Sequence, residues 1–137
     1  MRVEPYLNFD GRCEEAIQFY KTAVGAEVTM LMRFKDSPEP PAVGMCPPGS
    51  ENKIMHASLK IGDSNVMASD CHGQGNPEFK GISLSITAAN DAQAERVFAA
   101  LSSGGKVTMP MTKTFFSSRF GVATDRFGVT WMIVVER

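Results

Sequence analysis

Long apolar runs are absent from this chain. No stretch approaches the ~20 residues that a bilayer-spanning helix needs, and the opening Met1-Arg2-Val3-Glu4-Pro5 has no apolar segment of the secretory kind. The expectation is a cytoplasmic protein without a membrane partner. An excess of one charge is missing too, since 14 Lys+Arg stand against 15 Asp+Glu for a formal charge of −1. That balance leaves no basic footprint for nucleic acid or for an anionic membrane surface. Cysteine is scarce and odd in number; the wide spacing of Cys13, Cys46 and Cys71 excludes a disulfide framework and fits a reducing compartment. The chain has just two histidines, His56 and His72. Cys71-His72 offers at most half of a soft-metal site, and reads as linker. No cofactor is expected, and the partner such a surface suggests is a small organic ligand or a second copy of the chain.

What is present is enough for one domain, because a chain of 137 residues can bury roughly two-thirds of its unfolded surface. Residues 3 to 9 are short and β-prone. After Asp10-Gly11, the residues Cys13, Ala16, Ile17, Tyr20, Ala23 and Val24 fall at helical spacing and stop at Gly25. Residues 26 to 34 return to β-branched and apolar types, and 53 to 61 alternate Met55, Ala57, Leu59 and Ile61 with Ile54, His56, Ser58 and Lys60. Gly62-Asp63-Ser64-Asn65 forms a turn into a short strand, Val66-Met67-Ala68.

The second half repeats that order. Ile82, Leu84 and Ile86 alternate with Ser83 and Ser85, Asn90 and Gln93 form a capping box, and a helix carries Ala94, Val97, Phe98 and Leu101. Strands follow at 106 to 109, 120 to 124 and 129 to 135. A slide of 79 positions aligns Phe19 with Phe98, Gly25 with Gly104 and Val28 with Val107, which points to internal duplication. The fold class is α+β with two β-α-β-β-β modules, the first over about 1–70, a linker over about 71–79 and the second over about 80–137. The proline-rich stretch from Asp36 to Asn52 is either a lid over a site or a plain surface excursion.

Pro5-Tyr6-Leu7-Asn8-Phe9, Cys13-Glu14-Glu15-Ala16, Phe19-Tyr20 and Gly25-Ala26-Glu27 resemble the PhnB-like branch of the vicinal oxygen chelate superfamily, which also holds glyoxalases, bleomycin-resistance proteins and dioxygenases. Lys53-Ile54-Met55-His56-Ala57, Gly105 to Pro110, Lys113-Thr114-Phe115-Phe116, Arg119-Phe120-Gly121 and Asp125 to Met132 extend the resemblance over nearly the whole chain. The resemblance implies a curved mixed sheet with helices on its convex side and a ligand cup on its concave side. It also implies a homodimer. Metal-using relatives hold an octahedral ion with His and Glu from the first and last strands of each module. Carried across, those positions fall at Pro5, at Met67 or Ala68, at Gly81 and at Met132, none of which is a ligand for a hard ion. The expectation is therefore no metal. Some members of the branch bear a name that implies quinone methyl transfer. No glycine-rich turn of the nucleotide-cradling kind follows the first strand here.

Several side chains stand out as ligand contacts. His56 shares a face with Ser58, and imidazole is the side chain that changes charge near neutral pH, so it suits an anchor or a general base. The bland alternative is a histidine satisfied by neighbouring hydroxyls. Ser83 and Ser85 are expected to face the cup, and Met132 to stand beside them. Lys113, Phe115, Phe116 and Arg119 concentrate aromatic and cationic groups in one inter-strand connection, suited to a planar or anionic ligand, or simply packed there. The nine methionines read mostly as core filler, the alternative being an adaptable binding surface of easily reshaped thioethers. Trp131, Gly121 and Gly128 read as structural, the glycines permitting turns. The leading expectation is a small-molecule-binding protein without the usual metal centre. The alternative is an isomerase, lyase or dioxygenase with His56 as base or with an atypical metal site. A third reading makes the cup vestigial and the function protein association.

Overall fold

The computed structural model describes residues 1–38, 49–70 and 77–136. They divide into two compact units, Met1–Pro77 and Glu78–Arg137. Cys46, Cys71, His72 and most of the proline-rich stretch lie outside the described residues.

The first unit holds strand β1 (Tyr6–Asn8), helix α1 (Cys13–Ala23), strands β2 (Glu27–Arg33), β3 (Ile54–Ile61) and β4 (Ser64–Ser69), and a short 3-10 turn at Phe34–Asp36. The sheet order is β1-β4-β3-β2, with β1 parallel to β4 and the other pairs antiparallel. Gly62, at φ +58, opens the tight β3–β4 loop, and Ile61 already pairs with Ser64. The strand thus begins earlier than the sequence pattern suggests. α1 buries Cys13, Ala16, Ile17, Tyr20 and Ala23, and the matching sheet layer is Leu7, Ala57, Leu59, Val66 and Ala68. The Tyr20 ring lies 6.2 Å from that of Phe9.

α1 has no side-chain cap of its own at Arg12. Its N-terminal donors are met from a distance by Asp70, a carboxylate only 1% exposed. Asp70 accepts from Gly11 N at 2.6 Å and Cys13 N at 3.0 Å on one oxygen, and from Ile54 N at 3.0 Å on the other. One buried side chain thus ties the start of α1, the start of β3 and the end of β4, and Asp70 belongs to the core rather than to the linker. Arg33 on β2 grips Glu14 on α1 through both nitrogens of its fork and donates to the Asn52 carbonyl. The Arg33 hydrogen bonds hold the Glu14 carboxyl below its usual range.

The second unit repeats the pattern with β5 (Leu84–Ala88), α2 (Asp91–Ser102), β6 (Lys106–Thr112), β7 (Ser117–Thr124) and β8 (Thr130–Glu136), in the order β5-β8-β7-β6. Asn90 caps α2 by accepting from Gln93 N at 2.8 Å. The Gln93 side chain reaches back to Ala89 N, one residue beyond the usual capping box. β6 runs through Pro110, which an outer strand tolerates because its missing N–H is not needed by a neighbour. Gly121 has no left-handed conformation. Its role is close approach rather than a turn: a Cβ there would lie 2.8 Å from the Phe98 ring of α2 and 2.5 Å from Met111 Sδ. Gly128, at φ +91, does shape a turn. That turn is organised by buried Asp125, which accepts from Phe127 N, Val129 N and Trp131 Nε1. Trp131 is 2% exposed and stands across from Ala123 on the face that α2 covers. Among the described residues, no helix is long and apolar enough to cross a membrane.

Candidate functional site

The face of the first sheet turned away from its buried layer carries the polar groups. Strand alternation puts Tyr6 and Asn8 of β1, Met67 of β4, His56 and Ser58 of β3 and Met30 and Met32 of β2 on this side. The register joins them into rows, Tyr6–Met67–Ser58–Met30 and, one step along, His56–Met32. Within them Tyr6 Oη and His56 Nδ1 are 3.0 Å apart, and Ser58 Oγ lies 3.3 Å from His56 Nε2. The two rings are tilted, with centroids 5.6 Å apart. Both imidazole nitrogens therefore face hydroxyl groups, which fixes the ring plane and leaves the proton free to reside on either nitrogen. Ser69 ends β4 on the same side, fully buried, with its hydroxyl making no hydrogen bond.

Sequence alternation was enough to place His56 and Ser58 together. Tyr6 was not singled out, although Leu7 and Phe9 alternate with it; its meeting with His56 depends on the parallel pairing of β1 with β4, which no local pattern encodes. Of the two readings of the methionines, core filler for most of them is corrected by the structure. No described methionine is in the buried core; Met30 is 41% exposed and Met109 45%, while Met32, Met67 and Met132 are half-buried. Unbranched thioethers along a half-open sheet face form an adaptable surface.

In the second unit the equivalent row is Ser85–Met132–Val122–Met109. Ser85 and Met132 are neighbours, as expected. Ser83 precedes β5 and is exposed, because the strand starts two residues later than the alternation implies, and Ile82 is correspondingly 68% exposed instead of buried. The aromatic connection is also shorter than expected. It spans 113 to 116, and Arg119 stands within β7. There Arg119 Nε donates to Glu95 of α2 at 3.1 Å, so its guanidinium is engaged on the helix side. Phe115, Phe116 and Phe120 form an edge-to-face series with centroids 5.2 and 5.1 Å apart. Phe115 is 91% exposed, and Lys113 is exposed beside it.

A hard divalent ion does not fit these donors. Pro5 spends its carbonyl on Met67 N at 3.0 Å, Met67 and Met132 offer soft sulfur, and Ala68 and Gly81 offer no side-chain donor. Among the described residues no group of three or more His, Cys, Asp and Glu side chains could hold a metal ion.

Paired four-stranded mixed sheets, each with one helix, define the glyoxalase/bleomycin-resistance fold. A glyoxylase/bleomycin resistance protein/dioxygenase domain from Frankia shares it at a TM-score of 0.71 and 12% identity, over 100% of this chain and 98% of that one. The chain belongs to the PhnB-like family described as 3-demethylubiquinone-9 3-methyltransferase, whose family model matches residues 1–134. Protein PA1353 from Pseudomonas aeruginosa is 42% identical over 99% of this chain and 98% of its own, with a TM-score of 0.85. A Bacillus cereus protein whose description pairs that methyltransferase name with PhnB is 26% identical, over 98% of this chain and 99% of its own, with a TM-score of 0.80.

Proposed function

We propose that the protein binds a small oxygen-bearing organic molecule on the hydroxyl, imidazole and thioether face of its first unit, without the divalent metal centre usual in the fold. The observation that carries this reading is the Tyr6–His56–Ser58 hydrogen-bonded series set among methionines. Such a surface offers a few oriented polar groups within an adaptable apolar surround, which is what a small-molecule site requires. The proposal extends to the matching face of the second unit, where Ser85 pairs with Met132 and Phe116 stands edge-on to Phe120, with Lys113 and Phe115 in the adjoining connection. Ser83 is the least supported contact, and Arg119 would have to leave Glu95 to join them.

Native mass spectrometry of protein from its expression host, with identification of any molecule released on denaturation, tests the proposal. The expected result is a co-purified organic species that is lost from His56→Ala and Tyr6→Phe. Retention of the same species by both variants would overturn the assignment.

A second reading, with His56 as general base of an isomerase, lyase or dioxygenase, is favoured by the same oriented imidazole. It predicts turnover of the identified species that His56→Ala abolishes while leaving the fold intact. The methyl transfer named in the family description finds less support. Asp70 takes the Gly11 and Cys13 N–H groups at the start of α1, and Asn90 takes that of Gln93 at the start of α2, so each helix start is already partly occupied by a side chain of this chain.

We also propose a cytoplasmic homodimer. Buried, unpaired Cys13 suits a reducing compartment, and Val28, Met30, Leu31, Val107 and Met109 leave apolar surface on the outer strands. Sedimentation velocity tests the dimer, and a monomer at every concentration would exclude it.

A further inference from the structure

The imidazole of His56 is aimed at Ser58, which stands between two methionines in the register of the sheet. Its Nε2 lies 3.3 Å from Ser58 Oγ, and Ser58 is flanked in register by Met30 on β2 and Met67 on β4. Directly opposed residues share a sheet face with Cβ atoms about 4.5–5.5 Å apart. Methionine is long, unbranched and free to rotate, so both sulfurs can reach the space above Ser58 toward which Nε2 points. We propose that His56 Nε2 and the sulfurs of Met30 and Met67 form a trigonal site for a soft monovalent cation, Cu(I). The site goes beyond the small-molecule reading and does not rest on it.

Softness selects the ion. Two thioethers and a neutral imidazole give no anionic oxygen, so magnesium, manganese and calcium gain little, whereas Cu(I) prefers sulfur and nitrogen donors. Tyr6 serves as the positioning residue. With the ring proton on Nδ1 donated to Tyr6 Oη, the lone pair of Nε2 is free for the metal, an arrangement that orients metal-bound histidines generally. Ser58 Oγ, which otherwise occupies that lone pair at a long 3.3 Å, turns aside. Met32, the register partner of His56, is within reach as a fourth donor. Met30, 41% exposed, leaves a path for the ion.

The second unit provides an internal control. Its Met109–Val122–Met132 row repeats the two thioethers, but valine replaces Ser58 and Phe120 stands two residues before it where His56 would be. Two methionines without the nitrogen make no comparable site, so the proposal assigns one ion per chain.

The test is anaerobic titration of the full-length protein, carrying 13C-methyl methionine, with Cu(I) supplied as its bicinchoninate complex. It is run on the parent chain and on Cys46→Ser/Cys71→Ser, which removes two of the three thiols and leaves the buried Cys13. One equivalent is expected to move the methyl signals of Met30 and Met67 and to leave those of Met109 and Met132 in place. Met30→Leu/Met67→Leu, a volume-conserving change, should weaken competition with bicinchoninate more than about ten-fold, and Tyr6→Phe by about ten-fold. Met109→Leu/Met132→Leu should compete like the parent. Unmoved Met30 and Met67 signals in the Cys46→Ser/Cys71→Ser chain, or a Met30→Leu/Met67→Leu variant that competes as well as the parent, would overturn the proposal. Either result would leave the organic-ligand reading untouched.

Discussion

Tyr6 and His56 are separated by fifty positions in the chain, yet Tyr6 Oη stands 3.0 Å from His56 Nδ1. They meet because β4 lies between their strands, taking β1 in parallel on one side and β3 in antiparallel on the other. The bond fixes the plane of the one described imidazole in the protein.

Tyr6→Phe keeps the ring and removes this hydroxyl. The long-range 1H–15N spectrum of His56 is expected to shift as the balance between its two tautomers changes. Unfolding free energy should fall by only about 0.5–1.5 kcal/mol, the ordinary worth of one hydrogen bond. An unchanged His56 spectrum would mean that Ser58 alone holds the ring.

Much of the fold was legible locally. Helical spacing from Cys13 to Ala23, the Asn90 cap and the alternation of 54 to 61 each follow from side-chain periods that a single strand or helix must satisfy. The offset of 79 positions recovers the Tyr6–Ser85 and Met30–Met109 equivalences of the two sheets. What escaped was whatever depends on a partner strand. Asp70, at the end of the first module, drew no attention in the sequence because its three donors come from segments 16, 57 and 59 positions away. Met30 and Met67 looked like core because apolar character does not say which face of a sheet lies open. Arg119 looked free because its partner, Glu95, belongs to a helix.

Asp70→Ala should be costly. Three buried or half-buried N–H groups lose their acceptor, each worth about 1–3 kcal/mol when left unpaired, so a loss of roughly 3 kcal/mol or more is expected in urea unfolding. Asp70→Asn keeps a single acceptor oxygen and should fall between the two. Equal midpoints for Asp70→Ala and the parent would show that water replaces the carboxylate.

Gly121→Ala puts a methyl group against the Phe98 ring and Met111 Sδ. Overpacking of this kind typically costs about 1–3 kcal/mol. Adding Met111→Ala should restore only part of it, because the ring contact remains. Full recovery in the double variant would show that Phe98 can yield.

Burial, followed by the charges of Asp70 and Glu14, pushes the Cys13 thiol well above its ordinary range. In the unfolded chain the same thiol ionises at its ordinary value. Cys13 therefore contributes stability below that value and loses it progressively as pH rises above it. Melting temperatures measured from pH 8 to about 10.5 should fall more steeply for the parent than for Cys13→Ala. Parallel profiles would mean that the folded thiol ionises as freely as the unfolded one.

Pro110 makes the outer strands β6 and β2 of the two sheets unequal. On β6 a strand arriving from another chain meets a residue with no hydrogen to give, whereas β2 presents a proline-free run from Val28 to Met32 with Glu27 and Arg33 as the charged residues of the strand. In concentrated solution, precipitation is expected to start along β2. The storage life of the protein would then be governed by two flanking charges rather than by its melting temperature.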